Sequence, residues 1–135
     1  MPDSRGSLFA YGSLQLPEVF EAVTRQSRKG VPAVLRDFRR TKLKGFGFPA
    51  LRPALGIETS GVLYPALDED AWRRLDAFED DFYQRRAVTI HLSDTSLCLA
   101  YVYVLADGFL HLSLDEPWSL SDLDQTTIQH LLERL

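Results

Sequence analysis

Cysteine is nearly absent from this chain, since Cys98 is the only one among 135 residues. A single cysteine cannot form an internal disulfide, and it excludes any multi-cysteine metal site. Cys98 lies in the apolar run 97–104, where we expect a buried structural thiol rather than a nucleophile. This cysteine usage favours a cytoplasmic protein.

Long apolar runs and a strong charge imbalance are also missing. No stretch approaches the roughly 20 apolar residues of a membrane span, and the N-terminus lacks the apolar core of a signal peptide. The net charge of −4 argues against nucleic acid as the main partner. A composition of 45% apolar and 25% charged residues and a length of 135 residues predict one globular domain over 1–135. We expect a monomer or homodimer with neither a membrane nor a nucleic-acid partner.

Motifs for metals, cofactors and activated nucleophiles are lacking too. The three histidines, His91, His111 and His130, do not have metal-ligand spacing, and we expect all three on the solvated surface. No Gly-x-Ser-x-Gly elbow, phosphate loop or dinucleotide fingerprint occurs. We therefore expect no metal and no cofactor.

The hydrophobic pattern alternates between strands and helices. Strands are predicted at 7–11, 31–43, 60–64, 86–92 and 97–105, with a hairpin turn at 93–96. Helices are predicted from Pro17, after Asp68, and from a cap at Ser121 or Asp122 to Leu135. The glycines and prolines of 45–53 indicate a loop or an irregular edge. This mixed order predicts an α+β fold.

Glu79 stands out within the predicted helix that follows Asp68. At about 100° per residue, Leu67, Ala71, Trp72, Leu75 and Phe78 form one apolar arc, and Glu79 falls inside it. A carboxylate on an apolar face is costly unless it is paired or used. The alternative is that the helix ends earlier and leaves Glu79 on a solvated turn.

A second candidate site is the turn Tyr11-Gly12-Ser13-Leu14 between a strand and a helix. Glycine permits a positive φ there, and consecutive backbone N–H groups of such a turn can converge on an anion. Turns of this kind are common, and most of them are structural.

The segment from Arg25 to Lys44 holds eight of the fifteen Lys and Arg residues against one acid, Asp37. Such a segment could dock an acidic partner or RNA, although a solvated basic strand face is the more frequent structure.

Four motifs resemble the gamma-glutamylcyclotransferase-like family, in the same order and spacing. These are Tyr11-Gly12-Ser13-Leu14, then Gly61-Val62-Leu63-Tyr64, then Leu75-Asp76-Ala77-Phe78-Glu79 with Tyr83-Gln84-Arg85, and finally Val102-Tyr103-Val104. Trp118 also matches in its late position, so the resemblance covers most of 7–118. The chain departs from the family at Asp80-Asp81, where relatives more often carry glycine after the glutamate.

The resemblance implies a small mixed barrel of five to seven strands with outer helices. It implies that Glu79 is the catalytic carboxylate and that Tyr11, Gly12, Ser13 and Leu14 hold substrate through backbone N–H groups, with Tyr83 and Tyr103 also contacting it. The expected reaction releases 5-oxoproline from a gamma-glutamyl amine, amino acid or peptide. The alternative is a non-catalytic binding module that uses the Tyr11–Leu14 loop and the basic segment.

Overall fold

The computed structural model of the protein describes residues 6–133. Within them lie six strands and three α-helices, joined in part by short 3-10 turns. In chain order the elements are β1 (Leu8–Ala10), α1 (Pro17–Thr24), β2 (Val31–Leu43), β3 (Phe46–Tyr64), α2 (Glu69–Glu79), β4 (Tyr83–Leu92), β5 (Leu97–Leu105), β6 (Ser113–Pro117) and α3 (Gln125–Glu133).

Five of the strands close into a barrel. Strand β3 pairs with β1 and β2, β2 pairs with β4, β4 pairs with β5, and β5 returns to β1. The β1–β5 contact is parallel and the other pairings are antiparallel. Strand β6 adds to the end of β2 at Thr41 and Leu43. The predicted α+β class and the small mixed barrel are thereby confirmed.

Of the two alternatives for 45–53, a loop or an irregular edge, the loop is wrong, because β3 runs unbroken from Phe46 to Tyr64. The turn before it is only two residues long, and Gly45 adopts a φ of +82° there. Pro49 and Pro53 lie next to the two register shifts of the β2–β3 ladder. Proline is tolerated at such bulges because no ladder hydrogen bond is required of it. The glycines and prolines of 45–53 therefore belong to a strand with bulges, which fits the alternative of an irregular edge.

The core has two main layers, one inside the barrel and one beneath the helices. Phe9 of β1 faces the barrel interior, whereas its neighbours Leu8 and Ala10 face the layer under α1 and α2. Burial on both faces explains why β1 is a continuous apolar run. In the helical layer Phe20 stacks on Tyr64 with ring centroids 3.9 Å apart. Cys98 is partly buried against the barrel layer, and burial raises the pKa of its thiol.

The two ends of α2 determine where Glu79 lies. The Asp68 carboxylate accepts the Ala71 N–H at 2.9 Å, so Asp68 is the N-cap as predicted. The helix extends to Glu79 itself, and the alternative of an earlier end is wrong.

The cap predicted for the terminal helix needs correction. Asp124 accepts the Thr127 N–H at 2.7 Å, while Ser121 and Asp122 belong to a 3-10 turn that precedes α3. Hydrophobic periodicity could not distinguish this 3-10 turn from the first turn of α3, because a polar capping residue precedes each of them. The predicted end at Leu135 lies outside the described residues.

Candidate active-site cavity

A cavity of about 390 Å³ lies between the end of α2, the turn after β1 and the first half of β3. Its size is within the range of small-ligand pockets, about 300–1,000 Å³. The seven residues expected at the site all line it, namely Tyr11, Gly12, Ser13, Leu14, Glu79, Tyr83 and Tyr103. The structure thus brings them together, while their roles in binding and catalysis stay predictions.

Glu79 is the last residue of α2, and its side chain is partly buried at the cavity wall. Its carboxyl forms no hydrogen bond or ion pair with any other residue of the described range 6–133. Its pKa is raised to about 8, mainly by burial and in smaller part by the Asp76 carboxylate one turn earlier. A carboxyl with this pKa can both accept and return a proton near neutral pH.

Three tyrosines surround this carboxyl, and each has its hydroxyl engaged elsewhere. Tyr11 donates to the carbonyl of Tyr103, Tyr83 donates to Pro49 O at 2.7 Å, and Tyr103 donates to Asp76 Oδ1 at 2.6 Å. Burial is the main cause that raises the pKa of all three phenols, and the nearby Glu79 adds to it. The rings are therefore neutral and fixed in orientation, and they shape the cavity.

Gly12 does not adopt the positive φ that we expect from the sequence. Its φ is −121°, so the reason given for glycine is wrong. A Cβ at this position would instead lie 3.1 Å from Cδ of Pro49, which is a tight contact. The close approach of β3 therefore disfavours a side chain at this position, and this feature depends on tertiary packing and is not visible in the local sequence.

The turn after Gly12 leaves backbone donors at the cavity. Ser13–Gln15 form a single 3-10 turn, with Gln15 N–H donating to Gly12 O at 3.0 Å. The first N–H groups of such a turn have no partner within it. In the described part of the chain, the N–H groups of Gly12, Ser13 and Leu14 find no acceptor. They are available to an oxygen of a ligand in the cavity.

Arg40 supports the same turn from outside the cavity. Its Nη1 donates to Tyr11 O at 2.9 Å and to Ser60 O at 3.2 Å, and its Nε donates to Trp118 O at 3.1 Å. Burial lowers the pKa of the guanidinium. Arg40 thus ties the turn after β1 to β3 and to the residue that follows β6.

Half of the basic side chains in the segment 25–44 are paired with acidic side chains of the chain. Besides Arg40, four of its eight basic side chains form ion pairs, namely Arg28 with Asp68, Arg36 with Glu58, Arg39 with Asp115 and Lys42 with Asp122. The segment therefore offers an acidic partner less free charge than its composition suggests.

Sequence reasoning missed several residues at the cavity. Phe48 and Pro49 line it, but they fall in the segment that was expected to be a loop. Phe82 also lines it, three residues after Glu79. Asp76 contacts Tyr103 and raises the pKa of Glu79, and its spacing of three residues from Glu79 on a helix could have identified it.

Within 6–133, no three His, Cys, Asp or Glu side chains are grouped so as to hold a metal ion. The expectation that the histidines are solvated fails at His91, which is partly buried and whose Nδ1 has no hydrogen-bond partner in the described residues. None of the described helices has the length and apolar character needed to cross a membrane.

Comparison with known proteins identifies the family. The family model described as "Gamma-glutamyl cyclotransferase, AIG2-like" matches residues 8–120. This match covers most of the chain, which therefore belongs to the AIG2-like gamma-glutamyl cyclotransferase family.

Individual relatives agree with this assignment. AIG2-like protein C of Arabidopsis thaliana is 39% identical over 89 residues, which cover 66% of this chain and 52% of that protein. AIG2-like protein D of the same plant is 36% identical over 90 residues, covering 67% and 59%. The chain thus spans little more than half the length of these curated relatives.

Solved structures share the fold. A solution structure from Arabidopsis thaliana superposes with a TM-score of 0.74 at 25% identity, over 99% of this chain and 90% of that one. A structure described as a gamma-glutamyl cyclotransferase gives 0.68 at 19% identity, over 76% and 68%. An AIG2-like protein from Mus musculus gives 0.65 at 23% identity, over 85% and 88%. The last two likenesses concern the fold alone.

Proposed function

We propose that this protein is a cyclotransferase that releases 5-oxoproline from a gamma-glutamyl amine, amino acid or peptide, with Glu79 as general acid and base. The observation that carries the proposal is the Glu79 carboxyl, which faces the cavity without a partner in the described residues and has a pKa raised to about 8 by burial. Family membership supports the reaction type, and the free N–H groups of the Gly12–Leu14 turn support the binding mode.

The first step prepares the nucleophile. The α-ammonium of a gamma-glutamyl substrate cannot attack, and Glu79 as a carboxylate accepts one proton from it. A base whose pKa is near the working pH is suited to this exchange. The resulting amine attacks the γ-carbonyl of the same molecule, so the protein needs mainly to hold the substrate in a folded conformation.

In the second step the tetrahedral intermediate collapses to 5-oxoproline and the leaving amine. The new C–N bond closes a five-membered ring, the attacking nitrogen loses a second proton, and the bond to the leaving nitrogen breaks. Both protons end on the departing amine, with Glu79 returning the one it holds. We assign the N–H groups of Gly12, Ser13 and Leu14 to the substrate α-carboxylate or to the oxyanion, where such donors have their largest effect.

The test is a panel of gamma-glutamyl compounds incubated with the protein and assayed for 5-oxoproline by mass spectrometry. A gamma-glutamyl amide with an acetylated α-amine serves as control, because it lacks the nucleophile. Formation of 5-oxoproline only from free-amine compounds supports the proposal. Release of glutamate or N-acetylglutamate would instead identify a hydrolase that uses water.

Replacing Glu79 is the matching test on the protein. We expect Glu79→Gln to lower kcat by about 10²–10⁴, since the amide keeps the shape but accepts no proton. Glu69→Gln is the matched control, because Glu69 is an exposed residue at the other end of α2. Near-wild-type turnover by Glu79→Gln would remove Glu79 from the mechanism.

The alternative is a binding module that has the cavity but no turnover. Its basic docking segment receives little support, since five of the eight basic side chains there are engaged within the chain. A protein that binds gamma-glutamyl compounds in calorimetry yet forms no 5-oxoproline would establish it.

A further inference from the structure

One side of the cavity is aromatic rather than polar. Phe48 of β3 and Phe82 both line it, and their rings meet edge to face with centroids 6.2 Å apart. Phe82 ends the 3-10 turn Asp80–Phe82, which directly follows Glu79. We call Phe48 and Phe82 the phenylalanine wall. Phe82 thus follows Glu79, the proposed proton acceptor, by three residues.

Two further phenylalanines support the wall from outside the cavity. Phe109 packs on Phe82 with centroids 4.5 Å apart, and Phe46 lies 5.2 Å from Phe48 and 5.3 Å from Phe82. Phe46 is 45% exposed, so the aromatic surface continues from the cavity to solvent. A ligand group lying on the wall would be supported by a packed cluster and would not need to be fully enclosed.

In the described part of the chain, acidic side chains line the cavity and basic ones do not. Among the described residues that line it, the only ionisable groups besides the tyrosines are Glu79 and Asp80. The nearby cation, Arg40, donates to the carbonyls of Tyr11, Ser60 and Trp118 and does not line the cavity. A second carboxylate on the substrate, carried by the leaving amine, would meet two acidic side chains and, among residues 6–133, no basic one.

From this arrangement we propose that the site selects gamma-glutamyl amides whose leaving amine is apolar and aromatic and bears no carboxylate. This inference rests on the proposed function and names its substrate class. The glutamyl half would lie at the Gly12–Leu14 turn and Glu79, and the amine substituent would lie on the phenylalanine wall. Edge-to-face packing against aromatic rings favours an aromatic substituent over an alkyl one. An unpaired carboxylate in the same place would be disfavoured.

Three substrates that differ by one group each test the inference. Gamma-glutamyl-phenethylamide carries the ring, gamma-glutamyl-phenylalanine adds only a carboxylate to it, and gamma-glutamyl-ethylamide removes only the ring. We expect kcat/KM for the phenethylamide to exceed that of the ethylamide about three- to tenfold. We expect it to exceed that of the phenylalanine compound at least tenfold, roughly the effect of an unpaired carboxylate.

The order of the three substrates decides the outcome. Equal or faster turnover of gamma-glutamyl-phenylalanine or of the ethylamide would overturn the inference. So would a preference for the gamma-glutamyl amide of 1,4-diaminobutane, whose cation would point to Asp80 as the recognition group. If no compound yields 5-oxoproline, the proposed function fails, and the ratio of calorimetric Kd values for the same compounds then decides the inference separately.

Variants of the wall connect the preference to its residues. We expect Phe82→Leu and Phe48→Leu to retain an apolar cavity but to lose the preference for the phenethylamide over the ethylamide, mainly through KM. Phe46→Leu is the matched control, because Phe46 touches both wall residues without lining the cavity. Circular dichroism checks that each variant folds.

Asp80 gives an independent variant for the charge argument. Asp80→Asn should raise kcat/KM for gamma-glutamyl-phenylalanine several-fold relative to that for the phenethylamide, because only the former carries the extra carboxylate. The assignment would be contradicted if both Phe→Leu variants kept the preference for the phenethylamide over the ethylamide. It would also be contradicted if Asp80→Asn left the kcat/KM ratio of gamma-glutamyl-phenylalanine to the phenethylamide unchanged.

Discussion

The two ends of α2 carry similar carboxylates in opposite circumstances. At the N-terminal end, Asp68 caps the helix and also accepts from Gln26 Nε2 at 3.0 Å and 3.2 Å. Asp70 pairs there with Arg73 and Arg74. Negative charge at this end is favoured by the helix dipole as well. Every feature of this end stabilises the helix.

The C-terminal end reverses each of these conditions. Glu79 has no partner in the described residues, Asp76 lies one turn before it, and the last turn contains no basic residue. Asp80, which follows, has φ 56° and ψ −154°, a conformation that is almost confined to glycine. This helix is therefore stabilised at its first turn, whereas its last turn carries an energetic cost beside the cavity.

The largest expected effect concerns pH and activity. If Glu79 must be ionised in the free protein, kcat/KM should rise about tenfold per pH unit below the pKa near 8 and level off above it. A drop of about 50-fold between pH 8 and pH 6 follows, because half of the carboxyls are ionised at pH 8 and about one in a hundred at pH 6. The pH–rate profile with a gamma-glutamyl amide measures this directly. An acid limb near pH 4.5 would mean that Glu79 behaves as an ordinary surface acid.

Stability should respond to the same carboxyl in the opposite sense. The pKa of Glu79 is raised on folding from its ordinary value to about 8, so its contribution is favourable below about pH 4 and is lost as the pH rises to 8. Glu79→Gln should therefore match the wild type near pH 4 and be more stable at pH 9. A full shift corresponds to roughly 5 kcal/mol, and we expect about 2 kcal/mol because the side chain is only partly buried.

Urea unfolding of both proteins at pH 4 and pH 9 provides this measurement. Glu69→Gln is again the control and should show no such pH dependence. Equal stability of Glu79→Gln and the wild type at both pH values would show that the C-terminal carboxyl carries no cost.

Removing the N-cap should destabilise the N-terminal end of α2. We expect Asp68→Ala to lower the free energy of unfolding by about 1 kcal/mol, because the Ala71 N–H loses its acceptor. Chemical denaturation measures the loss, with Glu69→Ala as an exposed neighbour that should change little. A loss no larger than that of Glu69→Ala would remove the contrast between the two ends.

The smallest effect is expected at the strained residue. Asp80→Gly should raise the free energy of unfolding by about 0.5–1 kcal/mol, since relief of the backbone strain exceeds the added freedom of the unfolded chain. Asp80→Ala keeps a Cβ and should bring no such gain. Thermal denaturation of the two variants distinguishes them. A gain with alanine and none with glycine would locate the cost in the Asp80 charge and not in its backbone.

Much of the fold could be predicted from local patterns. Helix α2 followed from Asp68 and its apolar arc, and β2 was predicted with the bounds that the structure has. The β4–β5 hairpin was predicted from its turn residues, although β4 starts three residues earlier than expected, at Tyr83. A loop and an irregular strand could not be distinguished at 45–53, because bulges in a paired strand and turns between strands both favour glycine and proline.

The site was predictable only where a single residue conflicted with its surroundings. Glu79 could be singled out because an acid on an apolar arc contradicts helix periodicity. The positive φ predicted for Gly12 is wrong, and the close approach of Pro49 to Gly12 depends on the course of β3, which the local sequence does not show. The aromatic contacts of Phe82 with Phe48 and Phe109 join segments far apart in sequence, and no local pattern indicates them.

The contacts of the turn after β1 have a consequence for synthesis of the chain. Tyr11 is made early, but its hydroxyl acceptor, the carbonyl of Tyr103, follows 92 residues later. Arg40, which holds the Tyr11 carbonyl, is itself anchored to Trp118, 78 residues further on. At about 5–20 residues per second, a ribosome needs several seconds to supply these partners. A nascent chain can therefore form α1 or the β2–β3 hairpin well before it can complete the cavity.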